Sequence, residues 1–479
     1  MNLPERVHIS VTGPSRWLGG GKAVAVFGLA TSAGALLAAS IAWRSPALLT
    51  SWSILWRLAG WAVAWLVATV AAFHLPRRRA LALIGAAAVA LRLAALAGPP
   101  STSDDLYRYA WDGRVQAAGV DAYRYPPTAD EVRRLREGWL FPDPSGCAAL
   151  RRPPNCTRIN RPEVRTIYPP VAEAWFAAVY RLTGIGARYK AWQVSGLLVD
   201  LAAAALLIAA LRRWGGDERW VALYALCPAT VLDLVNNAHV DGLAIALSLA
   251  ALVVARPPPS SGSRLSDGWR DVAAGLLIGA AALVKVYPAV LLLALVGLRR
   301  PHPWRSLARA VIAAGVLAAL AYLPHVLAVG SKVVGYVPGY LREEHYTKGG
   351  RFLLLGAIGL RGGLATGVAV VVLAVAAAWV AVRKPSVPDG AAVLLGVALL
   401  VATPVQPWYA VALLAVAALA RRPHWAAITV AGYPYYFAVI VASRHQVGIG
   451  RACYGAAGLV VVAAWARRVR RAHTTGVSS

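Results

Sequence analysis

The sequence has few charged residues for its length, and acids are especially scarce. Only 15% of its 479 residues are charged, and 49 Lys and Arg outnumber 21 Asp and Glu. Because a soluble globular protein carries roughly a quarter charged residues, this composition excludes an ordinary soluble enzyme. Apolar runs such as 23–43 and 364–382 are long enough to cross a bilayer as helices. The sequence therefore predicts a polytopic α-helical membrane protein.

Further absences narrow the functional class. The chain has neither a Gly-rich Walker loop nor an HExxH zinc-protease signature, so a P-loop or zincin site is not expected. The formal net charge of +28 would suggest nucleic acid in a soluble protein. Here many arginines lie in short loops beside apolar runs, as in cytoplasmic loops of membrane proteins. We expect no nucleic-acid partner and no cofactor, with metal dependence left open.

The basic residues predict the orientation of the chain. Arg77–Arg79 separates two apolar runs and marks a cytoplasmic loop. Threading the runs alternately from there places every strongly basic short loop on the same side. This predicts an all-α transmembrane helix bundle of about 12–14 spans, with residues 1–479 forming one integral-membrane domain. The expected connections are a large extracytoplasmic loop at 99–190 with short interfacial helices, a cytoplasmic loop at 256–271 and an extracytoplasmic loop at 329–351.

The chain contains four cysteines, two of which lie in the predicted large loop. Cys147 and Cys156 would form a disulfide if this loop faces an oxidising compartment. Two unpaired thiols are the alternative. Cys227 and Cys453 lie in or beside apolar runs.

Two adjacent acids, Asp104 and Asp105, follow directly after the third apolar run. Charges that close to hydrocarbon are costly unless paired or hydrated, so they indicate a functional site. A positioned carboxylate can act as general base on a hydroxyl, and Asp105 would share a helical face with Tyr109. Arg108 and Arg114 follow as candidate substrate-binding cations. The alternative is a solvated loop start in which Asp104 caps a short helix.

Lys285 interrupts what would otherwise be one long apolar span. Two half-length helices meeting at Lys285-Val-Tyr-Pro288 would account for both the length and the proline. A lysine there can bind a lipid phosphate as a point charge, with Tyr287 beside it. Simple snorkelling to the membrane interface is the alternative.

A second polar cluster precedes another span and contains Asn237, His239 and Asp241. These side chains could bind sugar hydroxyls or a metal, although their spacing matches no dedicated metal motif. A helix N-cap by Asn237 is the alternative.

Aromatic and basic residues near other span ends complete the candidates. Tyr168, and Gln406 with Trp408, indicate aromatic platforms at the membrane interface, where such side chains commonly anchor membrane proteins. Arg444 and His445 form a possible second phosphate contact.

From about residue 80 to 450, the chain resembles the GT-C superfamily of integral-membrane glycosyltransferases. It resembles in particular the bacterial polyprenyl-phosphate-mannose-dependent mannosyltransferases of glycosyltransferase family eighty-seven and its relatives. The motifs that carry this resemblance are Ser103-Asp-Asp-Leu-Tyr-Arg-Tyr-Ala-Trp-Asp-Gly-Arg114, Tyr168-Pro-Pro, Asn237-Ala-His-Val-Asp241-Gly, Lys285-Val-Tyr-Pro and Gln406-Pro-Trp-Tyr. The acidic loop is the most specific of them.

The resemblance implies inverting transfer of a hexosyl group, as mannosyl, from a polyprenyl-phosphate donor. The acceptor would be a glycan or glycolipid hydroxyl at the extracytoplasmic face of the bacterial cytoplasmic membrane, among membrane lipids. The family's acid maps to Asp105, with Asp104 as the alternative. In this chain two spans precede the one leading into the acidic loop, whereas the compact family pattern places that loop after the first span.

Two other functions are compatible with a polytopic protein. A transporter or flippase of a lipid-linked sugar would place charges near the bilayer midplane and show internal repeats, but no repeat is visible and the polar residues gather at one predicted face. A non-enzymatic membrane scaffold leaves Asp104, Asp105 and Lys285 without a role.

Overall fold

The computed structural model describes residues 19–43, 51–257, 266–298, 300–346 and 351–474. Helices dominate these ranges and none of them contains a strand, which confirms the all-α prediction. The predicted loops at 256–271 and 329–351 lie partly outside the described residues. The prediction of a single domain stays a prediction.

Six helices in the described ranges are long and apolar enough to cross a membrane. They are Gly20–Trp43, Ser53–Phe73, Arg188–Arg213, Pro303–Glu343, Gly362–Arg383 and Gln446–Arg470. A seventh candidate is a pair, Thr230–Asn236 and Asp241–Ala255, bent by 113° at its break. The chain is therefore a multi-pass membrane protein.

Several predicted spans form shorter helices. Tyr287–Gly297, Val387–Val401 and Tyr409–Ala420 are apolar, but at about 1.5 Å per residue each is shorter than the roughly 30 Å hydrocarbon core. The apolar run at 364–382 lies within Gly362–Arg383, and a separate short helix, Leu353–Ala357, precedes it. The count of 12–14 spans stays a prediction, because length and composition alone do not show which short helices cross.

The remaining helices connect or support these elements. They are Arg77–Ala95, Asp105–Ala117, Pro144–Ala149, Pro170–Thr183, Val221–Ala225, Asp267–Ala282 and Ala426–Ile440. Within the elements already named, Pro303–Glu343 consists of Pro303–Val329, a 3-10 turn and Val337–Glu343, and Leu291–Ala294 is the α-helical part of Tyr287–Gly297. The predicted break at Lys285 is confirmed, since Asp267–Ala282 ends before it and a 3-10 turn, Tyr287–Val290, follows.

A buried ion pair fastens three of the apolar helices together. Arg92 of Arg77–Ala95 pairs with Asp200 of Arg188–Arg213, and both side chains are fully buried. The Arg92 guanidinium also donates to the Ala225 carbonyl at 2.7 Å, and the Tyr224 hydroxyl donates to Asp200 at 2.7 Å. Charges in an apolar interior persist when paired and hydrogen-bonded in this way.

The large loop folds around an apolar core of its own. Asp105–Ala117, here called the site helix, packs on Pro170–Thr183 through Tyr109, Phe176 and neighbouring side chains. The contact is close at Gly113, where a Cβ would lie 2.5 Å from the Phe176 carbonyl oxygen. This core continues into Trp192 and Val240 of the apolar helices, so the loop is held in a fixed position against them.

Candidate active site

Asp105 is the first residue of the site helix, and Asp104 precedes it. Asp104 therefore occupies the N-cap position, as the alternative interpretation expected, but its side chain makes no capping hydrogen bond. Instead, the Asn160 side-chain amide donates to Oδ1 of Asp104 at 3.0 Å and to Oδ1 of Asp105 at 2.6 Å. One amide thus bridges the two carboxylates.

The other carboxylate oxygen of Asp105 faces two polar groups. Its Oδ2 lies 3.5 Å from the Tyr168 hydroxyl and 3.5 Å from Nδ1 of His239. The Tyr109 hydroxyl lies 3.5 Å from the same His239 nitrogen. These separations are at the outer limit of hydrogen bonding. The Asp105 side chain is 19% exposed to solvent. The Asp105 side chain is therefore partly exposed, and its Oδ2 is weakly engaged.

An unusual backbone turn carries His239 to the acid. The π-helix Thr230–Asn236 ends two residues before Ala238, whose φ is +53°. A non-glycine residue in the left-handed region is uncommon, and π-helical turns are often found at functional sites. The backbone N–H of His239 donates to the Asp233 carbonyl at 2.9 Å. The His239 ring stacks on Trp408 with the ring centroids 3.8 Å apart.

Asn236 and Asn237 hold the segment that leads into the acids. The Asn237 side-chain oxygen accepts from the backbone N–H of Ser101 and of Thr102, at 3.0 and 3.1 Å. Asn236 accepts from the Ser101 hydroxyl at 2.6 Å. The following helix begins at Asp241 without a side-chain cap, so the alternative interpretation of Asn237 as an N-cap is wrong.

Lys285 lies in a cage of aromatic rings and one carboxylate. Its Nζ is 4.8 Å from the ring centre of Tyr168 and 5.2 Å from that of Tyr409. Oδ2 of Asp241 is 3.8 Å away, and the Tyr287 hydroxyl donates to Asp241 Oδ1 at 3.2 Å. Only 14% of the lysine side chain is exposed. The cage therefore holds the Lys285 ammonium group beside Tyr168, whose hydroxyl also faces Asp105.

Two of the predicted substrate-binding cations, Arg108 and Arg114, form ion pairs with acidic residues of the protein. Arg108 forms a buried ion pair with Asp112 at 2.9 Å and donates to the Val164 carbonyl at 3.0 Å. Arg114 pairs with Glu137 at 3.4 Å, and its guanidinium carbon lies 5.8 Å from the Tyr180 ring centre. Nine residues along a helix place Arg114 about 13 Å from Asp105. Both arginines therefore support the folded loop.

The remaining candidate residues are Gln406, Arg444 and His445. Gln406 contributes a backbone carbonyl that accepts from Tyr409 at 3.1 Å. Arg444 and His445 are exposed, and none of the contacts found in the described residues joins either of them to Asp105.

The structure adds residues that the sequence analysis missed as site residues. Asn160 and Tyr409 contact the acid pair and Lys285 respectively. Tyr436 donates to the Thr102 carbonyl and packs against Trp408, with ring centres 5.7 Å apart. Tyr409 follows Gln406-Pro-Trp in a motif that the sequence analysis had noticed, whereas no local pattern marks Asn160.

Burial sets the protonation of the groups around Asp105. Burial, and after it the Asp105 charge, raises the pKa of Asp104 above its usual range. Burial also raises the pKa of Tyr109 and Tyr168 well above that of a free tyrosine. Both phenols therefore stay protonated and can donate hydrogen bonds.

Two of the buried ring nitrogens near the acid make no hydrogen bond in the described part of the chain. They are Nε2 of His239 and Nε1 of Trp408. Because buried polar atoms are nearly always hydrogen-bonded, these nitrogens are suited to the hydroxyls of a polar ligand. The described residues hold no group of three or more His, Cys, Asp or Glu side chains arranged for a metal.

The structure also joins Cys147 and Cys156 in a disulfide with a Cα–Cα distance of 5.8 Å. The bonded cysteines close a short ring in the large loop, just before Asn160.

Membrane-length helices and a half-buried acid beside a caged lysine define a multi-pass membrane protein with a polar site. The family model described as Glycosyltransferase family 87 matches residues 166–407, just over half of the chain. The chain therefore belongs to this family of GT-C-type membrane glycosyltransferases. The matched range includes Tyr168, His239 and Lys285 and begins after Asp105. No curated protein and no solved structure matches the chain.

Proposed function

We propose that this glycosyltransferase moves a hexosyl group, mannosyl by family resemblance, from a polyprenyl-phosphate donor to a hydroxyl of a cell-envelope glycan or glycolipid. The observation that carries the proposal is the position of Tyr168, whose hydroxyl faces Asp105 and whose ring faces Lys285. A base for the acceptor and a cation for the leaving group thus lie on either side of one side chain.

The reaction is a single displacement. The acceptor oxygen attacks the anomeric carbon, its proton passes to Asp105 Oδ2, and the bond from that carbon to the phosphate oxygen breaks. The bonding pair leaves on the phosphate, and the anomeric configuration inverts. A positioned general base supplies about 10²–10⁴-fold in rate.

Lys285 stabilises the charge that develops on the leaving phosphate. A preorganised cation in a site with restricted water acts more strongly there than in bulk solvent. The cage of Tyr168 and Tyr409 fixes the ammonium group, while Asp241 at 3.8 Å leaves room for a closer anionic partner.

His239 and Trp408 bind the sugar. Their ring nitrogens make no hydrogen bond in the described residues, and they can meet sugar hydroxyls. Arg444 and His445, the candidates for a second phosphate contact, have no role in this scheme.

We place the reaction on the extracytoplasmic face of a bacterial cytoplasmic membrane. The strongly basic short loops predict the opposite face as cytoplasmic. The Cys147–Cys156 disulfide supports an oxidising compartment for the loop that carries Asp105.

The test is a transfer assay in nanodiscs with radiolabelled polyprenyl-phosphate mannose and a membrane glycolipid fraction, run with and without EDTA. Label moving into a new glycoside with the wild type, and not with Asp105→Asn, supports the proposal. Other polyprenyl-phosphate hexoses decide the sugar. Movement of intact labelled lipid across proteoliposomes, with no transfer from any donor, would establish a flippase instead.

A further inference from the structure

Asn160 holds the acid pair from a distant part of the large loop. The amide NH₂ has two hydrogens, and the geometry gives one to each carboxylate, at 3.0 Å for Asp104 and 2.6 Å for Asp105. Each bond uses Oδ1. We propose that Asn160 is the positioning residue of the base, which orients Asp105 and offsets the repulsion between the two neighbouring carboxylates.

The proposal rests on the proposed function, since it concerns the same base. Adjacent carboxylates repel each other, so one of them would otherwise be driven to bind a proton. A donor shared between them favours the charged form of both. Because Asn160 occupies Oδ1 of Asp105, the remaining Oδ2 is left to face Tyr168 and His239. An acceptor proton therefore has one accessible oxygen to reach.

Asn160 is itself held in place by the segment before it. The Thr157 hydroxyl and the Arg158 backbone N–H both donate to the Leu140 carbonyl, at 2.8 and 2.9 Å. Ile159 is buried in the apolar core of the loop, and the Cys147–Cys156 disulfide closes the chain just ahead. The Asn160 amide therefore contacts the acids from a backbone segment that is itself fixed in place.

Other charged groups also interact with the acid pair, and they affect the pH dependence of any measurement on it. Those acting on Asp104 or Asp105 are Arg152, Arg161, His239, Asp241 and Lys285. The buried phenols described above complete the set. None of these side chains bridges both carboxylates in the described residues, so Asn160 has a distinct effect.

The experiment compares Asn160→Ala and the isosteric Asn160→Asp with Thr157→Val. Thr157→Val removes one of the two hydrogen bonds that anchor the segment to Leu140 but keeps the Asn160 amide, so it reports the effect of loosening the segment alone. The pH dependence of kcat/KM for transfer is measured for each protein. Loss of the donor should move the acid limb of the Asn160→Ala profile upward by about one pH unit, and Asn160→Asp, which also adds a negative charge beside the pair, should move it further. At a pH on the acid limb, kcat/KM should therefore fall by about tenfold, while the KM for the donor should change by less than about twofold.

Thr157→Val should leave the acid limb in place, even if it lowers the unfolding temperature. An unchanged limb in both Asn160 variants overturns the proposal. An equal shift in Thr157→Val also overturns it, because the segment and not the amide would then be responsible.

A second readout does not depend on transfer. A hydrophobic carbodiimide modifies protonated carboxyl groups, and mass spectrometry locates the label on Asp104 or Asp105. The pH of half-maximal labelling should rise in both Asn160 variants and stay constant in Thr157→Val. If the wild type transfers no sugar, the proposed function fails while this labelling still decides the role of Asn160. Equal labelling curves in all proteins contradict it.

Discussion

Two pairs of carboxyl groups lie close together in the large loop, and they differ in what their oxygens contact. Asp104 and Asp105 share one amide, and Oδ2 of Asp105 has only 3.5 Å contacts. Two helical turns further along the chain, Asp112 pairs with Arg108, and nearby Glu173 accepts from Thr166 at 2.6 Å and from Gln116 at 2.8 Å. The second pair is saturated with partners and buried.

A perturbed pKa does not distinguish the two pairs. Burial raises the pKa of Asp112 and of Glu173, as it raises that of Asp104. Ion-pair networks that only support a fold perturb pKa values as active sites do. The difference lies in Oδ2 of Asp105, which makes only 3.5 Å contacts on a partly exposed side chain, and on this ground we propose this pair as the reactive one.

The largest effect is expected from Asp105→Asn. The amide keeps the shape of the side chain but cannot accept the acceptor's proton, so transfer should fall by about 10²–10⁴-fold. Asp104→Asn should cost less, since in the described residues the 3.5 Å contacts with Tyr168 and His239 are made by Asp105. Initial rates in nanodiscs, with unfolding temperatures as the folding control, test this. A variant Asp105→Asn as active as the wild type would remove Asp105 from the mechanism.

Lys285→Gln should have the next largest effect. Loss of a charge-assisted contact of about 1.5–3 kcal/mol corresponds to about 10- to 100-fold in kcat/KM for the donor. Lys285→Arg keeps the charge and should recover part of the activity, limited by the fit within Tyr168 and Tyr409. Donor titrations measure both variants. Equal kcat/KM in Lys285→Gln and wild type contradicts a phosphate contact.

Replacing both Cys147 and Cys156 by Ser should have a smaller effect on transfer. Opening this short ring should lower the free energy of unfolding by about 2–3 kcal/mol in the chain-entropy account. Transfer should fall several-fold at most, because Thr157 and Arg158 still anchor the segment. Unfolding of the wild type with and without a dithiol reductant is the matched control. A loss of transfer as large as that of Asp105→Asn would show that the acid pair depends on the disulfide-closed ring.

Glu173→Gln should change transfer least, by less than about twofold, because the saturated pair does not face the acceptor. It should alter the pH dependence of stability. Burial raises the pKa of Glu173 in the folded state, so its contribution to stability is fully present below the unfolded pKa of about 4.3. That contribution is lost as pH rises through the folded pKa.

The variant lacks this titration, so its unfolding temperature should fall less than that of the wild type between pH 5 and pH 8. An equal fall in both proteins would mean that Glu173 does not titrate there.

Sequence reasoning located the elements of the site whose signals are local. The Asp104-Asp105 pair interrupts an apolar pattern, and so does Lys285, whose break was confirmed. Arg108 was interpreted as a substrate cation although Asp112 lies four residues along the same helix, a spacing at which side chains pair. Glu137, the partner of Arg114, lies beyond any helical spacing.

The missed features depend on long-range contacts. Asn237 was considered as a cap, but its hydrogen bonds to Ser101 and Thr102 connect segments far apart in the chain. Asn160 lies 55 residues from Asp105, so no periodicity could relate them. The number of spans also depends on long-range packing, because hydropathy detects an apolar run without showing whether it faces lipid or the protein interior.

The measurement that tests the central claim most directly is the anomeric configuration of the product, determined by NMR from a donor of known configuration. The account has one base, Asp105, and a single displacement, so the product should have the opposite configuration to the donor. Retained configuration would require a covalent glycosyl intermediate and two displacements, and would contradict the role assigned to Asp105.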